Sequence, residues 1–252
     1  IDTIIDSNLD AFNGASKEIE NGRVASNLPP HKEHILELRK LLNSLEGKIV
    51  IILDEIDALR TAHYSDKIFA QIRSNYFART TYPEFENLTY ILSGVIEPTE
   101  LIKDRNKSPF NIGEKIYLDD FTFDEHLEFI SKSKLDISQE IIQEIYDWTS
   151  GNPRLTFDIC AEVEDLLAKN GEINKTNIKE IIEKKYLTTF DVAPVDHIRE
   201  LVTNNATIRN AISNIRKSGN GISSEIKSKL YLFGIINSDF NNLSIKNKIV
   251  DL

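Results

Sequence analysis

An α/β fold with a parallel sheet near its start, running into a long helical region and a small helix-plus-hairpin region, is predicted by three observations. The run Ile49-Val50-Ile51-Ile52-Leu53 is aliphatic throughout, as in a strand buried on both faces of a parallel sheet. A second stretch that reads as a buried strand, Leu88-Thr89-Tyr90-Ile91-Leu92, follows after a helical pattern. From Phe123 onward the apolar spacing is helical almost without relief.

Bulk composition narrows the function classes. A chain of 252 residues with 40% hydrophobic content supports a real core in one large domain or two ordinary ones. A formal charge of -10 argues against broad, sequence-independent binding to DNA or RNA, which needs basic surface to displace counterions. No run approaches the roughly 20 apolar residues that cross a bilayer, and Ile1-Asp2-Thr3 does not open a signal peptide, so a soluble protein without a membrane partner is expected. The single cysteine, Cys160, sits in an apolar helical pattern, and a reducing cytoplasm is the expected compartment. With no methionine and an isoleucine at its start, the sequence reads as a fragment of a longer protein, or as one written without modified methionines.

The first apolar strand ends in acids. Asp54 and Glu55 fall at the carboxyl end of a buried strand, the edge where open α/β sheets place ligands. In P-loop NTPases this is the Walker B position, where the first acid holds Mg²⁺ and the second polarises the attacking water. The alternative is a plain acidic helix start, with Asp54 or Asp57 as cap and Glu55 favouring the helix dipole.

The remaining elements follow in order. Ile4, Ile5, Leu9 and Phe12 share a helical face, 13–27 reads as a loop rich in Gly, Ser and Asn, and Pro29-Pro30 opens a helix carrying Ile35, Leu38, Leu41, Leu42 and Leu45. His31 and His34 lack partners at metal-ligand spacing and read as surface residues. A helix over 66–80 turns Ile68, Ile72, Tyr76 and Phe77 inward; Arg73 and Arg79 on it are either solvated or reach another subunit's phosphates. The second strand ends at Ser93, either a sensor of a γ-phosphate or a strand-end turn. A short helix over 97–102, a basic loop over 103–113 and a third strand, Ile116-Tyr117-Leu118, come next. Asp124, Ser138 and Asn152-Pro153 start three helices. In the turn Ser150-Gly151-Asn152-Pro153-Arg154 the arginine either lies over phosphates, with Pro153 on a base, or decorates a helical corner. A helix over 176–188 and a linker over 189–196 lead to two or three helices, a loop at Gly219-Asn220-Gly221, and a hairpin turning at Asp239 to Asn242. Helices followed by a hairpin suggest a winged helix, but its cations are scattered rather than clustered on one helix.

Three stretches together carry a family resemblance: Ile51-Ile52-Leu53-Asp54-Glu55-Ile56-Asp57; Ser108-Pro109-Phe110-Asn111-Ile112-Gly113 leading into Tyr117-Leu118-Asp119-Asp120-Phe121-Thr122; and Trp148-Thr149-Ser150-Gly151-Asn152-Pro153. The chain resembles the bacterial AAA-like domain proteins, STAND-type signal-transduction ATPases, from about residue 40 onward. The resemblance implies the C-terminal part of an AAA-like, P-loop-type nucleotide-binding core over 1–122, its sheet incomplete at the N-terminal side, then a helical lid over 123–190 and a winged helix over 191–252. It implies Asp54 for Mg²⁺, Glu55 as catalytic base, Ser93 near the sensor-1 position, Gly151 and Pro153 as the adenine-side glycine-x-proline motif, and Arg154 as a sensor-2 arginine. ATP or ADP with Mg²⁺ would be the ligands. Effector or sensor domains and further copies of the chain would be the partners, and nucleic acid is not expected.

Two features depart from the family. The arginine that often ends the sensor-1 strand is replaced by Ser93-Gly94-Val95, leaving that role vacant or moved to Arg105. No Gly-x-x-x-x-Gly-Lys-Ser/Thr occurs, and Gly14 and Gly22 do not supply one, so no loop cradles phosphates. In the family the phosphate-loop strand lies mid-sheet, between the sensor-1 strand and the strand expected at Ile116 to Leu118. A sheet lacking it would have two open edges, so a preceding segment of roughly 60 to 100 residues is expected to complete the sheet. The competing expectations are a nucleotide-independent interaction scaffold and a DNA-binding regulator using 197–252.

Overall fold

Apolar side chains on alternate residues of two strands and on four helices set the architecture of the first part of the chain. The computed structural model describes residues 1–95, 101–102, 104–188, 192–217 and 221–251. They form two units, Ile1–Lys115 and Ile116–Leu252.

In the first unit, helices α1 (Asp2–Ser7), α2 (Leu9–Ala25) and α3 (Pro30–Ser44) precede strand β1 (Ile49–Leu53), and helix α4 (Ser65–Ala78) precedes strand β2 (Leu88–Leu92). The stretch expected as a loop over 13–27 is mostly helix. Phe12, Ala15 and Ile19 recur at helical spacing and bury against Leu38, Leu41 and Leu42 of α3, so tertiary burial outweighs the weak helix propensity of Gly14 and Gly22. Arg23 ties the helices together: its Nε donates to Glu37 at 2.7 Å and its Nη1 to Asp2 at 2.9 Å. The Glu37 hydrogen bond outweighs desolvation and holds the guanidinium pKa above its ordinary value.

β1 and β2 pair in parallel with Ile49 opposite Leu88 and Leu53 opposite Leu92. Ile49, Ile51 and Leu53, with Leu88, Tyr90 and Leu92, face two clusters, one around Leu38 and Phe85 and one around Phe69, Leu101 and Ile102. The other face is bare: Val50 is 51% exposed, Ile52 65% and Ile91 47%. Burial on both faces, expected from the unbroken aliphatic run, is therefore not found among the described residues. Helices cover one side of two strands, so burial alternates with the pleat. α4 turns Phe69, Ile72 and Asn75 inward, while Tyr76 and Phe77, expected inside, are 41% and 49% exposed.

The third expected strand is absent: Ile116, Tyr117 and Leu118 are 79%, 65% and 91% exposed and belong to no ladder among the described residues. Three β-prone residues do not make a strand without an edge to pair with. The short helix expected over 97–102 lies mainly outside the described residues, as do Gly219 and Asn220.

The second unit holds α5 (Phe123–Ser133), α6 (Gln139–Thr149), α7 (Pro153–Asn170) and α8 (Lys175–Ile182), the last running into a π-type turn, Glu183–Thr188. Thr122, not Asp124, caps α5: its side chain accepts from the Glu125 amide, while Glu125 accepts from the Thr122 amide. That reciprocal box satisfies two end donors, which Asp124 two residues later would not. Ile130, Ile145, Leu155, Ile159, Ile178 and Tyr186 form the core of these helices. Then come α9 (Val195–Asn204), α10 (Ala206–Lys217), α11 (Ser224–Leu232) and α12 (Lys248–Asp251), around Ile208, Leu230 and Ile236. The expected hairpin reduces to one antiparallel bridge, Ile236 to Ile245, with its turn closed by the Asn242 amide on the Asp239 carbonyl at 3.1 Å.

His126 on α5 is fully buried between Phe123 and Tyr146, its Nε2 3.3 Å from the Ile142 carbonyl and its Nδ1 without a partner. Burial lowers its pKa below the usual 6.5, as it does for His34 on α3. As pH falls through about 6.5 the unfolded chain takes up these protons before the folded chain does, so stability is lost on acidification. The thermal midpoint is expected to fall between about pH 7.5 and about pH 5.5, and to fall less in His126→Gln, which cannot take the proton. An equal fall in both proteins would contradict this.

Candidate functional site

The ladder of β1 and β2 continues past its formal end, and this places the two acids. The Ser93 amide donates to the Leu53 carbonyl at 2.9 Å, and the Ser93 carbonyl accepts from the Ile56 amide at 3.0 Å. One residue of the β2 side thus grips both ends of a two-residue excursion, Asp54 and Glu55, and both of these point into solvent. Asp54 Oδ1 accepts from the Glu55 amide at 2.9 Å. Glu55 has φ +52°, a left-handed conformation that is uncommon outside glycine and collects at functional sites.

Asp57, read from the sequence only as a candidate helix cap, accepts from the Val95 amide at 3.3 Å. The turns after β1 and β2 lie very close. A Cβ on Gly94 would sit 2.8 Å from Ile56 Cγ1, 2.9 Å from Asp57 Oδ1 and 3.2 Å from the Ile56 nitrogen. Serine-glycine at a strand end, read from the sequence as a phosphate sensor or a turn, is the signal from which the close approach could have been found; Asp57's partner gives no such signal, because it lies 38 residues away.

This donor set suits Mg²⁺, which takes one or two carboxylates and completes its shell with water and substrate phosphates. No group of three or more potential metal ligands occurs among the described residues. Gly14 and Gly22 are both inside α2, and neither belongs to a phosphate-cradling loop.

Other expected site residues lie in the second unit. Ser150 and Gly151 both have positive φ, +47° and +78°. The Phe121 amide donates to the Gly151 carbonyl at 2.9 Å, and a Cβ on Gly151 would lie 1.9 Å from the Phe121 carbonyl oxygen. Asn152 caps α7 through the Leu155 amide at 3.0 Å and donates to Asp120 at 3.3 Å, so one donor of this helix start is already satisfied. Pro153 is exposed at the first helical position, and Arg154 Nε donates to Asp158 at 2.9 Å, which raises the guanidinium pKa. The turn is thus a packing device irrespective of any ligand.

Both arginines of α4 are occupied. Arg73 Nη1 donates to the Ser108 carbonyl at 2.8 Å and Asn111 Oδ1 at 2.7 Å, and Arg79 donates to the carbonyls of Phe85 and Leu88 at 3.2 and 2.6 Å. Neither is a free finger. The Pro-Phe-Asn-Ile-Gly element is held from α4: Arg73 takes Asn111, and the Phe110 ring lies 5.5 Å from Phe69. The side chain of Arg105 is outside the described residues. Cys160 is buried, which pushes its thiol pKa up to about 12 and leaves it unreactive.

Five cations of the last region are also committed. Arg209 bonds the Val202 and Thr203 carbonyls, Arg216 pairs with Asp251, and Lys227 donates to the Phe240 carbonyl at 3.1 Å. Lys229 pairs with Glu225 at 3.2 Å and Lys246 with Asp120 at 3.0 Å. No helix among the described residues is long and apolar enough to cross a membrane.

Comparison with known proteins adds the family. An uncharacterized WD repeat-containing protein of Synechocystis sp. is 36% identical over 155 residues, which cover 58% of this chain and 13% of that protein. The chain therefore spans a small part of the length of this relative. The family model described as AAA-like domain matches residues 35–250. On that match, which takes in both strands, the acids after β1 and nearly all of the second unit, the chain belongs to the AAA-like domain family.

Proposed function

We propose that the chain is part of an ATP-binding regulatory switch, a STAND-type ATPase module that couples nucleotide state to domain rearrangement. The observation that carries this reading is the pair of exposed carboxylates, Asp54 and Glu55, held out by the backbone of Ser93 at the carboxyl edge of a parallel strand pair. In this reading Asp54 holds Mg²⁺, Glu55 takes the proton of the attacking water, and Ser93 lies near the γ-phosphate. Bound Mg²⁺ would neutralise phosphate charge. Gly151 and Pro153 serve the adenine side, and Arg154 would have to exchange Asp158 for phosphate oxygens.

Further polypeptide is proposed to supply the phosphate-cradling loop. The bare sheet face of Val50, Ile52 and Ile91, and separately the exposed Ile116 to Leu118, support such a completion. The helices from Phe123 would be the lid, and α9 to α11 with the Ile236 bridge the winged helix. The partners would be attached effector or sensor domains and further copies, in a cytoplasmic setting. The WD-repeat description of the relative fits an attached interaction domain.

The lack of a phosphate loop in this sequence favours a second reading, a scaffold that works without nucleotide. The five internally committed cations of the last region weigh against winged-helix DNA binding. ATP binding by the whole protein, measured with and without Mg²⁺, separates the readings. Tight, metal-dependent binding is expected, and none at millimolar nucleotide would leave the scaffold.

A further inference from the structure

We propose that Asp57 is a positioning residue: its carboxylate clasps the turn after β1 to the turn after β2, fixing the Asp54–Glu55 excursion in the orientation its chemistry needs. The inference rests on the nucleotide-switch reading for its consequence, but the clasp itself rests on geometry.

Three observations bear on it. Asp54 and Glu55 are exposed, and among the described residues the one side-chain hydrogen bond either makes is local, accepted by Asp54 Oδ1 from the Glu55 amide. Their placement therefore depends on the backbone at either end of the excursion. That backbone is held by two Ser93 bonds and, beyond them, by the Asp57 carboxylate on the Val95 amide at 3.3 Å. Between these contacts, Gly94 meets Ile56 and Asp57 at distances that leave no room for a Cβ, so the two turns are seated on each other. A left-handed residue such as Glu55 persists only where its surroundings over-determine it. The Ser93 and Asp57 contacts are what over-determine it here.

A carboxylate in this place does two things that a hydrophobic residue would not. It accepts a main-chain N–H that otherwise faces solvent at the end of β2, and it joins two segments far apart in sequence without closing the excursion itself. Releasing it would let the two turns separate and Glu55 relax toward an ordinary conformation, displacing its carboxylate while leaving Asp54 nearest the strand.

Asp57→Ala removes the acceptor, Asp57→Asn keeps an oxygen at the same place, and Gly94→Ala pushes the turns apart from the opposite side. In the whole protein, Asp57→Ala and Gly94→Ala are expected to lower kcat for Mg·ATP hydrolysis at least about tenfold with KM changed less than about threefold, and Asp57→Asn to restore most of kcat. Unchanged kcat in Asp57→Ala, equal shifts in kcat and KM, or no rescue by asparagine would overturn the positioning role.

Hydrogen exchange at the Val95 and Ile56 amides tests the clasp without nucleotide. At least about tenfold faster exchange in Asp57→Ala supports it, and unchanged exchange overturns it. If the wild-type protein neither binds nor hydrolyses ATP while the exchange result holds, the clasp stands and the nucleotide reading falls.

Discussion

Gly151→Ala is expected to destabilise the second unit by about 3–5 kcal/mol, among the largest effects of any single substitution in the chain. The left-handed conformation alone, φ +78°, would cost a non-glycine residue about 1–2 kcal/mol. The larger part comes from contact. The new methyl would lie 1.9 Å from the Phe121 carbonyl oxygen and 2.9 Å from its carbon, both backbone atoms that no rotamer change can move. Relief requires shifting Phe121, which would break its amide bond to the Gly151 carbonyl and disturb the Tyr146 hydroxyl bond to the Phe121 carbonyl. Gly171 supplies the control. It also has positive φ, +73°, but nothing lies within 4 Å of its Cβ position, so Gly171→Ala should cost only the conformational part. At about 2–4 °C per kcal/mol, a fall of roughly 10 °C in the unfolding midpoint is expected for Gly151→Ala and a few degrees for Gly171→Ala. Equal shifts for the two would show that the packing against Phe121 is not what holds the turn.

Glu55→Gln is expected to reduce ATP hydrolysis by the whole protein about 10²–10⁴-fold while leaving ATP affinity within about threefold. Glutamine has nearly the same shape and can occupy the same left-handed position, so the Leu53, Ser93 and Ile56 backbone contacts should survive. What it lacks is a carboxylate able to take a proton. Because Asp54 is untouched, metal and nucleotide would still bind, and the loss would fall on the step in which water is activated. Measuring turnover and binding separately distinguishes this from a general weakening of the site. A rate within about twofold of wild type would remove Glu55 from the chemistry.

The strand positions were legible because five consecutive aliphatic residues at β1, and a short β-prone stretch bounded by turn residues at β2, leave few alternatives, and both strands fall there. Their exposure was not legible. An unbroken aliphatic run states that a strand can be buried on both sides, whereas Val50, Ile52 and Ile91 show one side covered, because that depends on which polypeptide packs there. Ile116 to Leu118 illustrates the same limit: β propensity is local, and pairing needs an edge from elsewhere. In α2, Gly14 and Gly22 pointed to a loop, and the long-range burial of Phe12 and Ile19 decided for helix.

The candidate site divides in the same way. Asp54 and Glu55 could be singled out from a strand ending abruptly in acids, and Ser93 from a strand ending in small polar residues. The backbone grip by Ser93 and the Asp57 contact could not, since they join segments some 38 residues apart with no periodic signal between them. The Gly151 turn was read from its residue types as a ligand motif, yet its clearest physical demand, the approach of the Phe121 backbone, comes from a residue 30 positions earlier in the sequence.

At the centre stands the proposal that the acids after β1 manage a metal beside a triphosphate. Calorimetric titration of the whole protein with Mg·ATP, and with ATP in the presence of a chelator, tests it most directly when wild type and Asp54→Ala are compared. Binding that requires the metal in wild type and is lost in Asp54→Ala is the expected result; identical binding by the two proteins, or binding indifferent to the metal, would contradict it.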